Sequence, residues 1–85
     1  MTTQELLELT TEELLELTTE ENLKKATKEK EHESDKFEVY AYLKILEKRL
    51  VQVEVIEKDI DTKYLLESRY ILVSGLIFNY IRNLY

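Results

Sequence analysis

FEVYAYLKILEKRLVQVEVIEKDI, residues 37–60, admits two readings, and the fold class turns on which one holds. Val39, Leu43, Leu46, Leu50, Val53, Ile56 and Ile60 recur at spacings of 4, 3, 4, 3, 3 and 4, a near-heptad seam that lays one apolar stripe along a helix. FEVYAYLKI and LVQVEVI, on the other hand, alternate and are rich in β-branched and aromatic residues, as strands are. A strand pair would have to turn through Glu47-Lys48-Arg49, which offers no Gly, Asn, Asp or Pro for a tight hairpin. The helix is therefore the expected element.

Downstream, Asp59, Asp61 and Thr62 mark a break and a new N-cap, followed by TKYLLESRYILVSGLIFNYIRNLY. Leu66, Tyr70, Val73, Ile77, Tyr80 (or Ile81) and Leu84 line one face of a second helix. Tyr70 to Ile81 carries no charge, and a helix apolar nearly all round needs to be enclosed. The run is too short to cross a membrane, which takes about twenty such residues, and Arg69 and Arg82 bracket it. An in-plane membrane helix would normally carry a dense Lys/Arg face, which is missing. Ser74-Gly75 would allow close helix approach, or be a plain packing feature.

Upstream, residues 2–23, TTQELLELTTEELLELTTEENL, are one eight-residue phrase written nearly three times. Thr2-x-x-Glu5, Thr10-x-x-Glu13 and Thr18-x-x-Glu21 all match the capping box, in which a Thr hydroxyl accepts from the third helical amide and the Glu reaches back to the cap's own amide. In one continuous helix a period of eight would advance about 80° per unit at about 100° per residue, so the leucines would circle the axis. Short capped helices fit better, and helices that short need a surface to lie on. A tolerated duplication that leaves a loose acidic tail is the plainer reading of so pure a repeat. The functional one is a reiterated ELLEL docking motif. Between repeat and seam, residues 24–35 have no apolar stripe and carry close pairs such as Lys25/Glu29, as a charged connector would. Asp35-x-x-Glu38 repeats the capping pattern just ahead of the seam.

The fold class expected is thus all-α: residues 1–23 an acidic octad-repeat segment, 24–35 the connector, and 36–85 an antiparallel helical hairpin of about 36–60 and 62–84. Eighty-five residues bury only about 60–65% of the surface of the unfolded chain, so one copy has a thin margin. Leu43, Leu46, Leu50 and Val53, with Leu66, Tyr70, Val73, Ile77, Tyr80 and Leu84, are the expected interface residues. They would pair two hairpins into a four-helix homo-oligomer or dock one on a protein partner.

Charge and composition exclude several functions. The net charge of −6 is concentrated in residues 1–23, which hold seven Glu and no base, and the Lys-rich stretch KKATKEKEHESDK is neutralised within itself. Direct nucleic-acid binding, which needs a basic stripe, is not expected. With no Cys there is no disulfide framework or thiolate site, and MTTQELLEL lacks the basic and apolar regions of a secretory leader. A cytoplasmic location is expected. HESDK, residues 32–36, departs from the zinc-protease pattern H-E-x-x-H at Lys36. Glu29-x-x-His32 has di-iron spacing but lies in the most solvated stretch. Asp59-x-Asp61 begins like a calcium loop, yet Tyr64 and Tyr70 stand where Gly and Glu are needed, so these acids read as caps. Ser34, Ser68 and Ser74 lack a nucleophile context, and the one Gly, Gly75, makes no phosphate loop. No catalytic, cofactor or metal residue is assigned. The six Tyr read as interface residues or ordinary core.

The function expected is a non-enzymatic protein–protein interaction protein, an adaptor or accessory subunit assembling through its C-terminal hairpin. The alternative is an acidic accessory or inhibitory subunit of a nucleic-acid-processing complex, its acidic arm acting as a nucleic-acid mimic.

Overall fold

In a computed structural model, which describes residues 3–33 and 36–84, every regular element is an α-helix. The helices are α1 (Thr3–Leu7), α2 (Thr11–Leu17), α3 (Glu20–Glu33), α4 (Lys36–Ile56) and α5 (Ile60–Leu84). The stretch that read both ways is helix throughout α4. The chain turns at Glu57–Asp59, ten residues beyond the position a strand pair would have required.

That three-residue link closes without glycine because side chains satisfy its amides. The Glu57 carboxylate accepts from Lys58 N at 3.2 Å and Asp59 N at 3.1 Å. Asp59 then caps α5, its Oδ2 accepting from Thr62 N at 3.0 Å and from Thr62 Oγ1 at 2.7 Å. Three of the amides left open at a helix start and its lead-in, those of Lys58, Asp59 and Thr62, are thereby satisfied. These bonds hold the Asp59 carboxyl below the usual carboxylate range, the Thr62 hydroxyl contributing most. The second helix starts at Ile60, ahead of the expected 62, and the first ends at Ile56.

α4 and α5 form the most extensive contact in the molecule. Val39, Leu43, Leu46, Leu50 and Val53 of α4 are buried with Leu66, Val73 and Ile77 of α5. The seam stops at Val53: Ile56 and Ile60, at 74% and 73% exposure, flank the link and face outward. The α5 helix rises about 1.5 Å per residue and so runs the full 38 Å length of the molecule.

The octad repeat supplies the second layer. Its leucines Leu6, Leu9, Leu14 and Leu23 join the same core, α1 touching α4, α2 touching both long helices, and α3 touching α4. The middle unit forms the expected capping box: Glu13 N donates to Thr10 Oγ1 at 3.2 Å and Thr10 N donates to Glu13 Oε1 at 3.1 Å. Thr2 and Asp35, the caps expected for α1 and α4, lie outside the described residues.

The third unit departs from the pattern, and one buried threonine explains why. Thr18, expected as an N-cap, is the C-cap of α2 and fully buried; its hydroxyl donates to Leu14 O at 2.8 Å. Thr19 takes over the N-cap, accepting from Asn22 N at 3.2 Å, so α3 starts one residue later than its unit predicts. The later start turns Leu23 into the core. Its equivalents in the earlier units, Leu7 and Leu15, are exposed and half-buried. Asn22, standing where the other units have Leu6 and Leu14, donates instead to Glu16 O at 2.7 Å. From there α3 continues into residues 24–33 as one helix, with an exposed Lys24–Glu20 pair at 3.2 Å.

Candidate interaction surfaces

Of the ten residues expected at an interface, seven are in the chain's own core: Leu43, Leu46, Leu50, Val53, Leu66, Val73 and Ile77. Tyr70 and Tyr80 are half-buried against it, and the Leu84 side chain lies outside the described residues. The layer made by α1–α3 accounts for the difference, because its leucines complete the burial that two long helices alone leave open. Residues outside that set carry the exposed apolar surface.

Tyr64, Ile71 and Phe78 stand on α5 at 70%, 65% and 66% exposure, seven residues apart and hence on one line along the helix. At about 100° per residue this line lies on the far side of α5 from Leu66, Val73 and Ile77. Val51 and Val55 of α4 are also exposed. The Ser74 hydroxyl donates to Glu47 Oε2 at 2.8 Å, which fixes the flank on which these residues sit: Glu47 leads to Val51 on α4, and Ser74 to Ile71 and Phe78 on α5. The opposite flank carries the repeat layer. There Arg49 Nη2 donates to Leu9 O at 3.1 Å and Arg69 Nη1 donates to Leu15 O at 2.9 Å. The long helices thus form a slab, covered on one side by the repeat and bare on the other.

A cleft of about 620 Å³ opens on the bare side, with Ile45, Val51 and Tyr70 as its apolar part and Lys44 and Lys48 on its rim. Lys44 Nζ pairs with Glu47 Oε1 at 2.9 Å. Partial burial works to raise the Glu47 pKa, but the hydrogen bonds from Lys44 and Ser74 and the Lys44 charge outweigh it, leaving the group below its ordinary value. Lys44 is held above its ordinary value, chiefly by its bond to Glu47. Burial raises the Tyr42 phenol.

The outer side of the repeat layer is acidic. Glu5, Glu8, Glu12, Glu13, Glu16, Glu20 and Glu21 are all exposed, while of the leucines between them Leu6, Leu9 and Leu14 are buried in the core, Leu15 and Leu17 half-buried and Leu7 exposed. A second cleft, of about 420 Å³, lies where α2 meets α3, with Glu13 and Glu16 of α2 and Lys25 and Glu29 of α3 in its lining. Glu13 is held below its ordinary value by the Thr10 amide and then by the Thr10 hydroxyl.

Among the described residues no group of three or more His, Asp or Glu is placed to hold a metal ion, and no helix is long and apolar enough to cross a membrane. His32, whose side chain lies outside the described residues, is on the last turn of α3. Asp59 spends its carboxylate on the α5 cap.

Arg49 and Arg69 are the functional-looking residues that pattern reading passed over. Each precedes a seam residue, Leu50 and Tyr70, which puts both on the flank of the seam. A lone Arg beside an apolar stripe signals an acceptor nearby, but the sequence does not say which carbonyl supplies it. No family model, curated protein or solved structure matches this chain significantly.

Proposed function

We propose that this chain is a small non-enzymatic interaction protein, an adaptor or accessory subunit, whose α4–α5 hairpin offers its bare apolar side to a protein partner. The exposed line of Tyr64, Ile71 and Phe78 is the observation that carries this reading. Three large exposed side chains in line along one helix, on the side where Val51 and Val55 of α4 are also exposed, make the kind of apolar surface that marks binding sites. The repeat is the clamp that closes the other side of the hairpin, and its glutamates keep that side hydrated. Asp59 and Glu13 serve as helix caps and Glu47 ties α4 to α5.

A photo-crosslinking amino acid at position 78, in cells producing the chain, tests the reading. A discrete protein adduct is expected, and the same probe at Glu12, on the acidic outer side, should not give it. An absence of any protein adduct at position 78 would overturn the proposal.

The seven exposed glutamates of residues 1–23 favour a second reading, an acidic accessory or inhibitory subunit that occupies a basic channel as a nucleic-acid mimic. Mimicry predicts affinity that falls steeply between low and high salt, whereas contact through Ile71 and Phe78 is nearly indifferent to salt.

A further inference from the structure

The bare side of α5 carries more than three large residues: the full line is Tyr64, Ser68, Ile71, Gly75, Phe78 and Arg82, spaced 4, 3, 4, 3 and 4, and all six are exposed. This is a second heptad stripe, opposite the one used for folding, in which large and small residues alternate from Tyr64 to Phe78 before it ends on Arg82. Its halves are complementary to each other. When two such stripes are laid antiparallel about a two-fold axis at the level of residue 73, Ile71 meets Gly75, Phe78 meets Ser68, and Tyr64 meets Arg82.

We propose that a second copy of this chain occupies the bare face, α5 against α5 and antiparallel, with Ile71 of each copy seated in the hollow over Gly75 of the other. The proposal rests on the interaction-protein reading above and names its partner. Three features of the stripe support a second copy over an unrelated protein. A two-fold interface requires one surface to fit itself, and this stripe supplies a small residue opposite each of Ile71 and Phe78. A Cβ built on Gly75 meets nothing within 4 Å, so the hollow is open from outside and serves no packing within the chain. The Ser68 hydroxyl already donates to Tyr64 O at 3.0 Å, so covering it with Phe78 strands no donor.

Charge selects the direction. The start of α5 carries both signs, Asp59 and Asp61 with Lys58 and Lys63, whereas among the described residues the exposed charge near the other end of the stripe is Arg82 alone. Antiparallel pairing sets each Arg82 over the ring of the other copy's Tyr64, where cation–π attraction acts. Parallel pairing would set Arg82 against Arg82 and leave Gly75 facing Gly75 across a void.

Sedimentation of the whole chain is expected to give twice the monomer mass. Gly75→Leu is the deciding variant: the site is open, and replacing a mid-helix Gly favours the helix, so the monomer should unfold at the same or a higher temperature. Filling the hollow should nevertheless weaken dimerisation by about tenfold or more. Leu65→Ser, exposed but off the stripe, should leave the dimer intact. The chain has no Cys, so Ser68→Cys and Phe78→Cys chains can be mixed and oxidised; they should form the mixed disulfide. A monomer at every concentration, an undiminished dimer in Gly75→Leu, or a homodisulfide of Ser68→Cys alone in place of the mixed one would each overturn this arrangement. If the adduct at position 78 contains a different protein while the chain sediments as a monomer, the second copy is excluded and the interaction-protein reading stands.

Discussion

The Arg69 guanidinium reaches 54 residues back along the chain to the Leu15 carbonyl, and the 2.9 Å bond ties the middle of α5 to the last turn of α2. Leu15 O is among the carbonyls that a helix end leaves without an intrahelical partner, and Thr18 Oγ1 supplies it only at 3.3 Å. A charged donor at a partly buried helix end is worth more than an ordinary hydrogen bond. Arg49 makes the equivalent bond to Leu9 O at 3.1 Å, although its Nε, buried, finds no partner. The two arginines are the polar fastenings of the repeat layer.

Arg69→Met keeps much of the apolar stem and removes the donor. It should cost roughly 1–3 kcal/mol in denaturant unfolding, and limited proteolysis should then cut first within residues 1–17. Arg69→Lys should recover part of the loss. Unchanged stability in Arg69→Met would mean that the leucines alone hold the layer.

The threonine pair at 18–19 distinguishes two capping roles that the sequence presents identically. Thr19→Ala removes the N-cap of α3 and should cost about 1 kcal/mol, as such caps do. Thr18→Val keeps the shape of a buried side chain but deprives Leu14 O of the hydroxyl bond. Both variants should lower the melting temperature, with Thr18→Val acting at the end of α2 and Thr19→Ala at the start of α3. Amide exchange would show this as faster exchange at Thr18 and Thr19 in the first case and at Asn22 in the second.

These two residues also mark how far pattern reading goes. The all-helical class, the caps at Thr10 and Asp59 and the seam from Val39 to Val53 are local: each follows from residues within a turn or two. The one-residue offset of the third unit is not local, because it depends on Thr18 being used at the end of α2 before it can serve at the start of α3. Periodicity likewise identified Leu66, Val73 and Ile77 as a face that must be covered but was silent on the cover. An acidic repeat whose leucines pack on α4 and α5 looks, residue by residue, like one offered to another molecule. The stripe of Tyr64, Ile71 and Phe78 went unread because the inward seam has the same spacing and more aliphatic residues.

Acid should unfold the protein for an identifiable reason. Glu13, Glu47 and Asp59 all have folded-state values below their ordinary ones, so each contributes stability that is present above its unfolded pKa, about 4, and lost as pH falls through the lower folded value. Helicity followed by circular dichroism should therefore decline below about pH 4, and Asp59→Asn should flatten part of that decline. The Lys44 value is raised, so its contribution is complete below about pH 10.4 and fades as pH climbs through the folded value. A profile level from neutral pH down through pH 2 would show that these carboxylates are not better held in the folded state.

The repeat and the α4–α5 pair share one core, and Leu14 tests whether they unfold as one unit. It is fully buried, and truncating such a leucine typically costs about 2–5 kcal/mol, a large part of the stability of a chain this size. Were the repeat a separate docking arm, Leu14→Ala would leave the unfolding of α4 and α5 untouched. With the shared core, Leu14→Ala should lower the single unfolding midpoint seen by both far-ultraviolet dichroism and tyrosine fluorescence, much as Leu46→Ala does from within the seam. Ile71→Ala provides the contrast: the side chain is largely exposed, so under conditions where the chain is monomeric its truncation should shift the midpoint by less than about 0.5 kcal/mol. Separate transitions for the two probes in Leu14→Ala would divide the chain into two folding units and return the repeat to the role of a free arm.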